Sequence, residues 1–491
     1  MDIGVCPIDV EDDVFSCNTA GAKETVPVAS ETGGIRRDAK GRVIAECGCL
    51  QRTLPPPKPV DMPYAATPEN AEKLSQWLLE YYRASTFNTC EHQALPMMQG
   101  APPMRIIMKE GAQPVAIHRP ATIPDHWLEK VKSDIERDIR LGVLERVPAN
   151  TPVTWCSRMH VVAKKNGEPR RVVDLRPVNA AAERQTHYVE PPFSQARSVP
   201  AGTWRFTSDA WNGYHSVPLD ERDRHVTTFI TPWGRLRYKG GPQGQVVTGD
   251  AFNAWYDMII RDLDRKKKCV DDVVGWADNL RVLFSDACDF LEITGSHGII
   301  QNAEKFVWGR KEVEYVGFWL AEDGVRPTQE TLSAIANFPR PSDITGVRSW
   351  FGLVEQVSWS FSKTELMEPF RDLLSKKEAF SWTPELQGAF ERARHEISKL
   401  VVTGIQSFTL GNWLCIVPDW SKQGIGYVLW QKRCKCSNIR PGCCREGWVV
   451  VAVGSRFCTA AETRYAPVEG EMLALQWALH KTSHYTLGVI Q

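Results

Sequence analysis

The fold is decided by a short acidic interruption in a β-forming stretch, Lys268-Cys-Val-Asp271-Asp272-Val-Val274. Two adjacent acids between β-branched residues are typical of the tip of a tight hairpin, where aspartate tolerates the turn conformation. Upstream, the alternating run Trp204-Arg-Phe-Thr-Ser-Asp209 predicts another strand that ends in an acid. Adjacent carboxylates repel each other unless a cation binds between them. The pattern therefore indicates either a solvated turn or a metal site built from all three acids.

The chemistry of hard cations decides which ions such a site would take. They prefer oxygen ligands, and they need few from the protein when substrate phosphates complete the coordination shell. Two cations held by three carboxylates would suit phosphoryl transfer, one at the attacking oxygen and one at the leaving phosphate. A metal site here is therefore predicted to take two Mg²⁺ ions, or Mn²⁺ in their place.

The surrounding chain mixes β-rich and helical segments, which predicts an α/β (α+β) protein. Residues 158–240 contain β-branched runs between turn signals, and Asn166-Gly167 predicts the tip of a hairpin. Helices dominate residues 326–400, and strands return afterwards. Asp343 and Thr383 are the predicted caps of two of these helices.

Seven segments in sequence order resemble the reverse transcriptases of gypsy-type LTR retrotransposons and retroviruses. They are Lys164–Asn179 (fingers), Asp209–His215 and Pro242–Gly244 (first two palm motifs), Cys269–Asp272 (the Asp-Asp motif), Asn302–Lys305 and Val313–Phe318 (last palm elements), and Phe338–Pro341 with Val347–Leu353 (thumb side). No single segment is specific enough to identify the family. Together they imply a right-hand polymerase with fingers, palm and thumb, which extends a DNA primer on an RNA template with dNTPs.

The resemblance also implies roles for individual residues. The metal ligands would be Asp209, Asp271 and Asp272; the nucleotide-binding residues Lys165, Arg170, Tyr214, Gln243 and Lys305; and the primer grip Val316, Gly317 and Phe318. Tyr214 would exclude the ribose 2′-OH, and Lys305 would donate a proton to pyrophosphate. Without the resemblance, the two basic fingers residues are a solvated hairpin, Tyr214 a core tyrosine and Lys305 a surface lysine. Cys269 replaces the family's usual aromatic residue.

The C-terminal segment resembles an RNase H domain. Asp419 in its first strand and Glu471 on a helix would be two ligands of a two-metal site. Pro418 precedes the aspartate on what should be a central strand, where proline removes a ladder donor. The family's next acid lies beyond Leu487, where no acidic residue follows in this sequence. We therefore expect this domain to be truncated and inactive as a nuclease.

The resemblance covers about residues 85–491, whereas the first 60 residues lack periodicity and end in the proline cluster at 55–59. Together these observations divide the chain into five parts. These are an irregular linker (1–60), an N-terminal extension (61–120), fingers and palm (121–325), thumb and connection helices (326–400) and a truncated RNase H-like domain (401–491).

Charge and hydropathy restrict the class of protein. The 491 residues include 59 basic and 59 acidic side chains, which excludes binding of polyanions by net charge alone. Residues 158–205 nevertheless hold nine Lys or Arg against four Asp or Glu, as a channel for an RNA–DNA hybrid requires. No apolar run could cross a membrane, and the acidic start lacks the pattern of a signal peptide. We expect an intracellular, cytoplasmic protein, in virus-like particles or the nucleus, whose oligomeric state the sequence leaves open.

Two further questions stay open at the level of sequence. Fourteen scattered cysteines favour reduced thiols, but Cys434, Cys436, Cys443 and Cys444 crowd an expected loop and form either a zinc site of unusual spacing or a group of unligated thiols. The chain is either an active polymerase or a decayed or domesticated fragment that binds RNA–DNA without catalysis. The presence of all three palm acids favours the polymerase.

Overall fold

The computed structural model describes residues 51–164, 166–374, 380–444 and 446–487. Residues 50–491 form one compact unit. The other unit, residues 1–49, is described only by an antiparallel pair of short strands, β1 (Arg36–Arg37) and β2 (Val43–Ile44). Lys165, one of the predicted nucleotide-binding residues, lies outside the described residues.

Three successive segments supply the elements of the large unit. The first contains α1 (Ala71–Tyr81), β3 (Phe87–Asn88), α2 (Leu128–Arg140), β4 (Leu144–Arg146), β5 (Ser157–Ala163), β6 (Pro169–Val173), α3 (Arg176–Ala181) and α4 (Pro192–Ser198). The second contains β7 (Trp204–Asp209), α5 (Gly213–Ser216), β8 (Phe229–Thr231), β9 (Gly234–Tyr238), α6 (Val246–Ile259), β10 (Lys266–Cys269), β11 (Asp272–Ala277), α7 (Leu280–Ser296), β12 (Gln301–Asn302), β13 (Val307–Arg310), β14 (Val313–Tyr315) and β15 (Phe318–Leu320). The third contains β16 (Gly324–Pro327), α8 (Gln329–Ala336), α9 (Ile344–Val357), α10 (Thr364–Met367), α11 (Pro384–Leu400), β17 (Ile405–Gln406), β18 (Leu414–Trp420), β19 (Gly424–Lys432), β20 (Trp448–Phe457) and α12 (Pro467–Thr486).

A four-stranded antiparallel sheet in the order β10-β11-β7-β13, called here the central sheet, positions the acids. Helices α6 and α7 cover it, and Phe252 and Leu283 from these helices share a buried core with Phe206 and Val273 of the sheet. Burying side chains of this size stabilises the fold by roughly 1.5–3 kcal/mol each. The alternation along β7 therefore keeps one face apolar and leaves the strand end free for its acid.

A second sheet has five strands, in the order β4-β9-β8-β5-β6. Its β5–β6 pair, called here the basic hairpin, aligns Val162 with Arg170. The N–H of Lys164 donates to the carbonyl of Glu168 at 2.8 Å, which closes the hairpin around Asn166-Gly167. The predicted hairpin tip is therefore confirmed.

A third sheet has the order β14-β15-β16-β17, and the buried Arg205 connects it to the central sheet. The guanidinium of Arg205 on β7 donates to the carbonyls of Leu320 and Ala321 at 2.8 and 3.0 Å. Burial lowers the pKa of Arg205 to about 10. The short hairpin β14–β15 is thereby fixed against the strand that carries Asp209.

The segment from α8 to α11 is a helical cluster around its own core, in which Trp350 and Phe390 lie 5.2 Å apart between ring centroids. The Asp343 carboxylate accepts from the N–H of Gly346 at 2.6 Å, and the Thr383 hydroxyl accepts from that of Leu386 at 3.3 Å. Both predicted caps are confirmed.

The last sheet has the order β18-β19-β20, and α12 packs on it. Ala474 and Trp477 of this helix join Trp420 and Ile425 in a small core. Within the described residues β18 pairs with β19 alone, so the prediction that Pro418 lies on a central strand is wrong. An edge strand accepts proline because its outer side needs no ladder donor. Among the helices of the described ranges, none has the length and apolarity to span a bilayer.

Candidate active site

The three palm acids meet where β7 ends and β11 begins. Asp209, the last residue of β7, stands directly opposite Asp272, the first residue of β11. Opposite residues in an antiparallel pair have Cα atoms about 4.5–5.5 Å apart. The N–H of Ala210 donates to the carbonyl of Asp271 at 2.9 Å, which fixes the third acid beside the other two. The structure therefore brings together residues that are far apart in the sequence.

The hairpin tip differs by one residue from the prediction. Cys269 pairs with Asp272, so the two turn residues are Val270 and Asp271 rather than the two aspartates. Val270 has φ of 58°, which is unfavourable for a β-branched residue. Such strain persists where surrounding contacts over-determine the backbone, and here β10, β11 and the Ala210 hydrogen bond do so. The strained turn directs Asp271 towards the strand end.

The electrostatics of the three acids favour the binding of positive charge. Oδ1 of Asp271 is buried and has no hydrogen-bond partner. Burial, followed by the charges of Asp209 and Asp272, raises the pKa of Asp271 to about 6. Burial and the charge of Asp209 raise the pKa of Asp272 to about 6 as well, with Glu314 adding to the effect. A buried acceptor without a donor, among oxygens that repel one another, matches the ligand set of a hard divalent cation.

Lys305 supplies positive charge at the edge of this group. Its ammonium donates to Oδ2 of Asp209 at 2.8 Å, while its own side chain stays 60 % exposed. The hydrogen bond and charge of Asp209 raise the pKa of Lys305. The lysine is therefore protonated at neutral pH and lies at the acids, where the resemblance expects it.

Tyr214 lies on the short helix α5 next to the acids. Its ring packs edge-on against Phe252 of α6, with centroids 5.4 Å apart. Burial and then the charge of Asp271 raise the pKa of the Tyr214 hydroxyl. At Gly213 a Cβ atom would lie 2.6 Å from the Phe252 ring and 2.9 Å from Oδ1 of Asp271. Only glycine there allows α5 to approach the acid so closely.

A cleft of about 460 Å³ lies between the basic hairpin and the segment that follows Tyr238. Arg170 and Lys164 line it from the hairpin, and Gln243 and Gly244 line it from the opposite side. Arg170 is exposed and Gln243 is exposed. Two predicted nucleotide-binding residues thus share one cleft, while the predicted metal ligands lie outside its lining.

The hairpin β14–β15 turns through Val316 and Gly317, with φ of 46° and 82°. Phe318 packs against Phe193 of α4 and Trp359, with centroids 5.6 and 5.7 Å apart. These contacts anchor the base of the hairpin and leave its turn more accessible. The three predicted primer-grip residues are therefore adjacent in space, on a hairpin whose Glu314 influences Asp272.

Sequence reasoning missed Lys268. Its side chain is only 3 % exposed, and its ammonium donates to the Asn253 side-chain oxygen at 2.7 Å and lies 3.2 Å from Asp257. Burial lowers the pKa of Lys268, and its charge in turn opposes the rise in the pKa of Asp271. The run Lys266-Lys-Lys268 resembles a solvated charged segment. Three consecutive lysines show no alternation of polar and apolar residues, so the sequence carries no clear signal that Lys268 packs against α6.

The two acids predicted for the RNase H-like site are more exposed than the three acids of the polymerase site. Asp419 on β18 and Glu471 near the start of α12 are both exposed, on elements that pack together. The N–H of Ala466 donates to the Glu469 carboxylate at 2.9 Å, so that neighbouring acid caps the helix. Asp419 and Glu471 remain the predicted metal ligands.

Comparison with known proteins identifies both regions. Residues 162–320 match the model of the family "Reverse transcriptase (RNA-dependent DNA polymerase)", and residues 411–490 match that of the "RNase H-like domain found in reverse transcriptase". The transposon Tf2-7 and Tf2-8 polyproteins of Schizosaccharomyces pombe are each 23 % identical over 378 residues, or 75 % of this chain. The chain spans only 27 % of the length of these relatives.

Solved structures with the same fold come from foamy viral protease-reverse transcriptase. The one in complex with dsDNA has a TM-score of 0.73 at 19 % identity, covering 88 % of this chain and 89 % of that one. The one in complex with RNA/DNA hybrid has a TM-score of 0.72 at 19 % identity, covering 88 % and 58 %. The right-hand polymerase fold, the RNase H-like domain and the resemblance to retrotransposon reverse transcriptases are therefore confirmed.

Proposed function

We propose that this chain, which carries the reverse-transcriptase and RNase H-like domains of an LTR-retrotransposon polyprotein, is an RNA-directed DNA polymerase that extends a primer with dNTPs. The observation that supports this most is the convergence of Asp209, Asp271 and Asp272 around a buried oxygen without a hydrogen-bond partner. A solvated turn, the other interpretation of the sequence, would leave these carboxylates hydrated.

The three aspartates would hold two Mg²⁺ ions, with Mn²⁺ as a substitute. Bound there, the ions would supply electrostatic stabilisation for the attack of a primer 3′-OH on the α-phosphate and for the departure of pyrophosphate. The chain itself fixes its ligands before any substrate arrives, because Asp209 and Asp272 are opposed in a ladder and Asp271 is held by the backbone of Ala210. Such preorganisation avoids reorganisation at the moment of reaction.

Residues around the acids would select and orient the nucleotide. Arg170 would bind the triphosphate and Gln243 would border the nucleotide, both from the cleft. Lys165, which lies outside the described residues, stays a predicted partner of the triphosphate. The half-buried Tyr214 ring, held by Phe252, would block a ribose 2′-OH. Lys305 would leave Asp209 to protonate pyrophosphate, a change that binding of cations to the carboxylate would favour because they compete for the same oxygen.

Nucleic acid would lie across the basic hairpin and the β14–β15 hairpin. The excess of basic residues between 158 and 205 favours the phosphate backbone of an RNA template and DNA primer. Val316, Gly317 and Phe318 would grip the primer end, since their hairpin is anchored by aromatic packing and lies near Asp272. An intracellular location stays a prediction.

Primer extension on an RNA template tests the proposal. Wild-type chain is expected to extend a DNA primer in the presence of Mg²⁺ and dNTPs, and Asp271→Asn to lose this activity by a factor on the order of 10³, because several kcal/mol of charge stabilisation depend on the ions. Asp262→Asn is the matched control, since Asp262 is 83 % exposed and lies outside the site. Equal activity in all three proteins would refute the site.

The non-catalytic alternative makes a different prediction. A decayed or domesticated fragment would bind RNA–DNA hybrid as tightly as a polymerase does but would extend no primer with either ion.

For the RNase H-like domain we propose little or no cleavage of the RNA strand. The resemblance assigns Asp419 and Glu471 to its metal site, whereas the family uses a further acid that has no counterpart among the described residues. Hybrid cleavage that Glu471→Gln abolishes would contradict this.

A further inference from the structure

A cluster of four cysteines lies in the loop that joins β19 to β20, residues 433–447. Their sulfurs, from Cys434, Cys436, Cys443 and Cys444, all lie within 4.8 Å of one another. Sγ of Cys436 is 3.3 Å from the sulfurs of Cys434 and Cys443 and 3.6 Å from that of Cys444. The Cys434 and Cys443 sulfurs are 3.4 Å apart. The loop therefore gathers all of its cysteines at one point.

These separations fit a tetrathiolate metal site better than disulfides. A tetrahedral zinc site with Zn–S bonds of about 2.3 Å places its sulfurs about 3.8 Å apart. A disulfide has an S–S distance of about 2.0 Å, and all four of these cysteines are free. Four soft sulfur ligands without an oxygen ligand select zinc over the hard cations of the polymerase site.

The surroundings supply outer-shell support for such a site. The indole N–H of Trp448 donates to Sγ of Cys443 at 3.3 Å, and the ammonium of Lys432 donates to the carbonyl of Cys436. Zinc with four thiolates carries a net charge of −2, and residues 432–447 hold five Lys or Arg against one Glu. Hydrogen bonds and nearby positive charge of this kind stabilise metal-bound thiolates.

The backbone of the loop is shaped around the sulfurs. The N–H groups of Arg433 and Cys434 both donate to the carbonyl of Gly447, at 2.7 and 3.3 Å, which brings the two ends of the loop together. A Cβ atom at Gly447 would lie 2.8 Å from Sγ of Cys434, so a larger residue would displace the sulfur. The described residues of this loop form neither helix nor strand and are mostly exposed or half-buried. Loops of about 15 residues without secondary structure are uncommon in compact domains unless they have a function of their own.

We propose that Cys434, Cys436, Cys443 and Cys444 bind one structural zinc ion that fixes the β19–β20 loop of the RNase H-like domain. The site is closed, because four protein ligands leave no position for water or substrate, so its role is to stabilise the fold rather than to catalyse. Binding deprotonates the thiols, and its free energy adds to that of folding. The inference is independent of the polymerase activity.

Metal analysis of the purified full chain, reduced and dialysed without chelator, tests the proposal. We expect one zinc per chain in wild type and in Cys415→Ser, a control cysteine on the neighbouring strand β18, and none in Cys436→Ser. Cobalt substituted for zinc is expected to give the intense absorption of a tetrahedral thiolate site. Absence of zinc from reduced wild type, or retention of one zinc by Cys436→Ser, would overturn the proposal.

A thiol titration covers the case in which Cys436→Ser fails to fold. In native wild type four of the fourteen cysteines should react only after a chelator removes the metal, with release of one zinc. Reaction of all accessible thiols without a chelator, or disulfides among these four in protein purified under reducing conditions, would equally refute the zinc site.

Discussion

Replacing Asp271 by Asn should stabilise the metal-free protein while removing its activity. The native carboxylate is buried, and its pKa is raised from 3.8 to about 6. An acid whose pKa is raised in the folded state contributes stability that is fully present below pH 3.8, its unfolded pKa, and is lost as the pH rises through about 6, its folded pKa. Above pH 7 the wild type therefore carries the whole penalty, and the neutral asparagine carries none.

The expected gain in the free energy of unfolding follows from the pKa shift of Asp271. Each pKa unit corresponds to about 1.4 kcal/mol, so the rise to about 6 corresponds to about 3 kcal/mol. Part of this arises from repulsion by Asp209 and Asp272, which share it with Asp271. We expect Asp271→Asn to be about 1–3 kcal/mol more stable than wild type at pH 8, with the difference vanishing near pH 4.

Thermal unfolding at a fixed scan rate, in EDTA and at both pH values, measures this difference. Asp262→Asn removes the same charge from an exposed position and should leave stability unchanged. Addition of Mg²⁺ should stabilise wild type but not Asp271→Asn, because only the former binds the ion in its native state. An Asp271→Asn protein that is less stable than wild type at pH 8 would refute the electrostatic reasoning.

Three further substitutions test the selection of the sugar, the binding of the triphosphate and the close approach of α5 to the acids. Tyr214→Ala should raise incorporation of rNTPs relative to dNTPs, whereas Tyr188→Ala, at a site 76 % exposed, should not; unchanged selectivity would exclude Tyr214 as the steric gate. Arg170→Ala should raise KM for dNTPs about tenfold with little change in kcat, as expected for loss of a charged hydrogen bond, and an equal effect from the exposed Arg140→Ala would argue against a specific contact. Gly213→Ala should abolish extension in a chain that still folds, since the added Cβ overlaps the ring and carboxylate beside it; full activity would show that α5 has more room than the structure gives it.

The strand that carries Asp209 and the hairpin at Asn166-Gly167 could be predicted because alternation and turn residues act locally, whereas the meeting of the three acids was expected from cation chemistry and the resemblance. β7 ends in Asp209 as its alternation predicts, and the Asn166-Gly167 hairpin forms where its turn chemistry requires. The exact tip at Val270 could not be predicted, because aspartate is the better turn residue. The ladder between β10 and β11 overrides this preference by pairing Cys269 with Asp272. Tertiary pairing thus decides what local propensity leaves open.

Features that depend on packing between elements far apart in the chain could not be predicted from the sequence. Lys268 is buried because α6 supplies Asn253 and Asp257 as partners, and a run of three lysines gives little sign of it. Pro418 lies at a sheet edge because only β19 pairs with its strand within the described residues. The residue roles inferred from the resemblance stay predictions, which the substitutions described above test.

Binding of Mn²⁺ tests the central claim most directly, because the ion substitutes for Mg²⁺ and is detected by electron paramagnetic resonance. With primer, RNA template and dNTP present, wild-type chain should bind two Mn²⁺ ions in addition to those held by nucleic acid alone. Asp209→Asn should lose this binding while Asp262→Asn keeps it. Undiminished Mn²⁺ binding by Asp209→Asn would contradict the assignment of these three acids to the metal site.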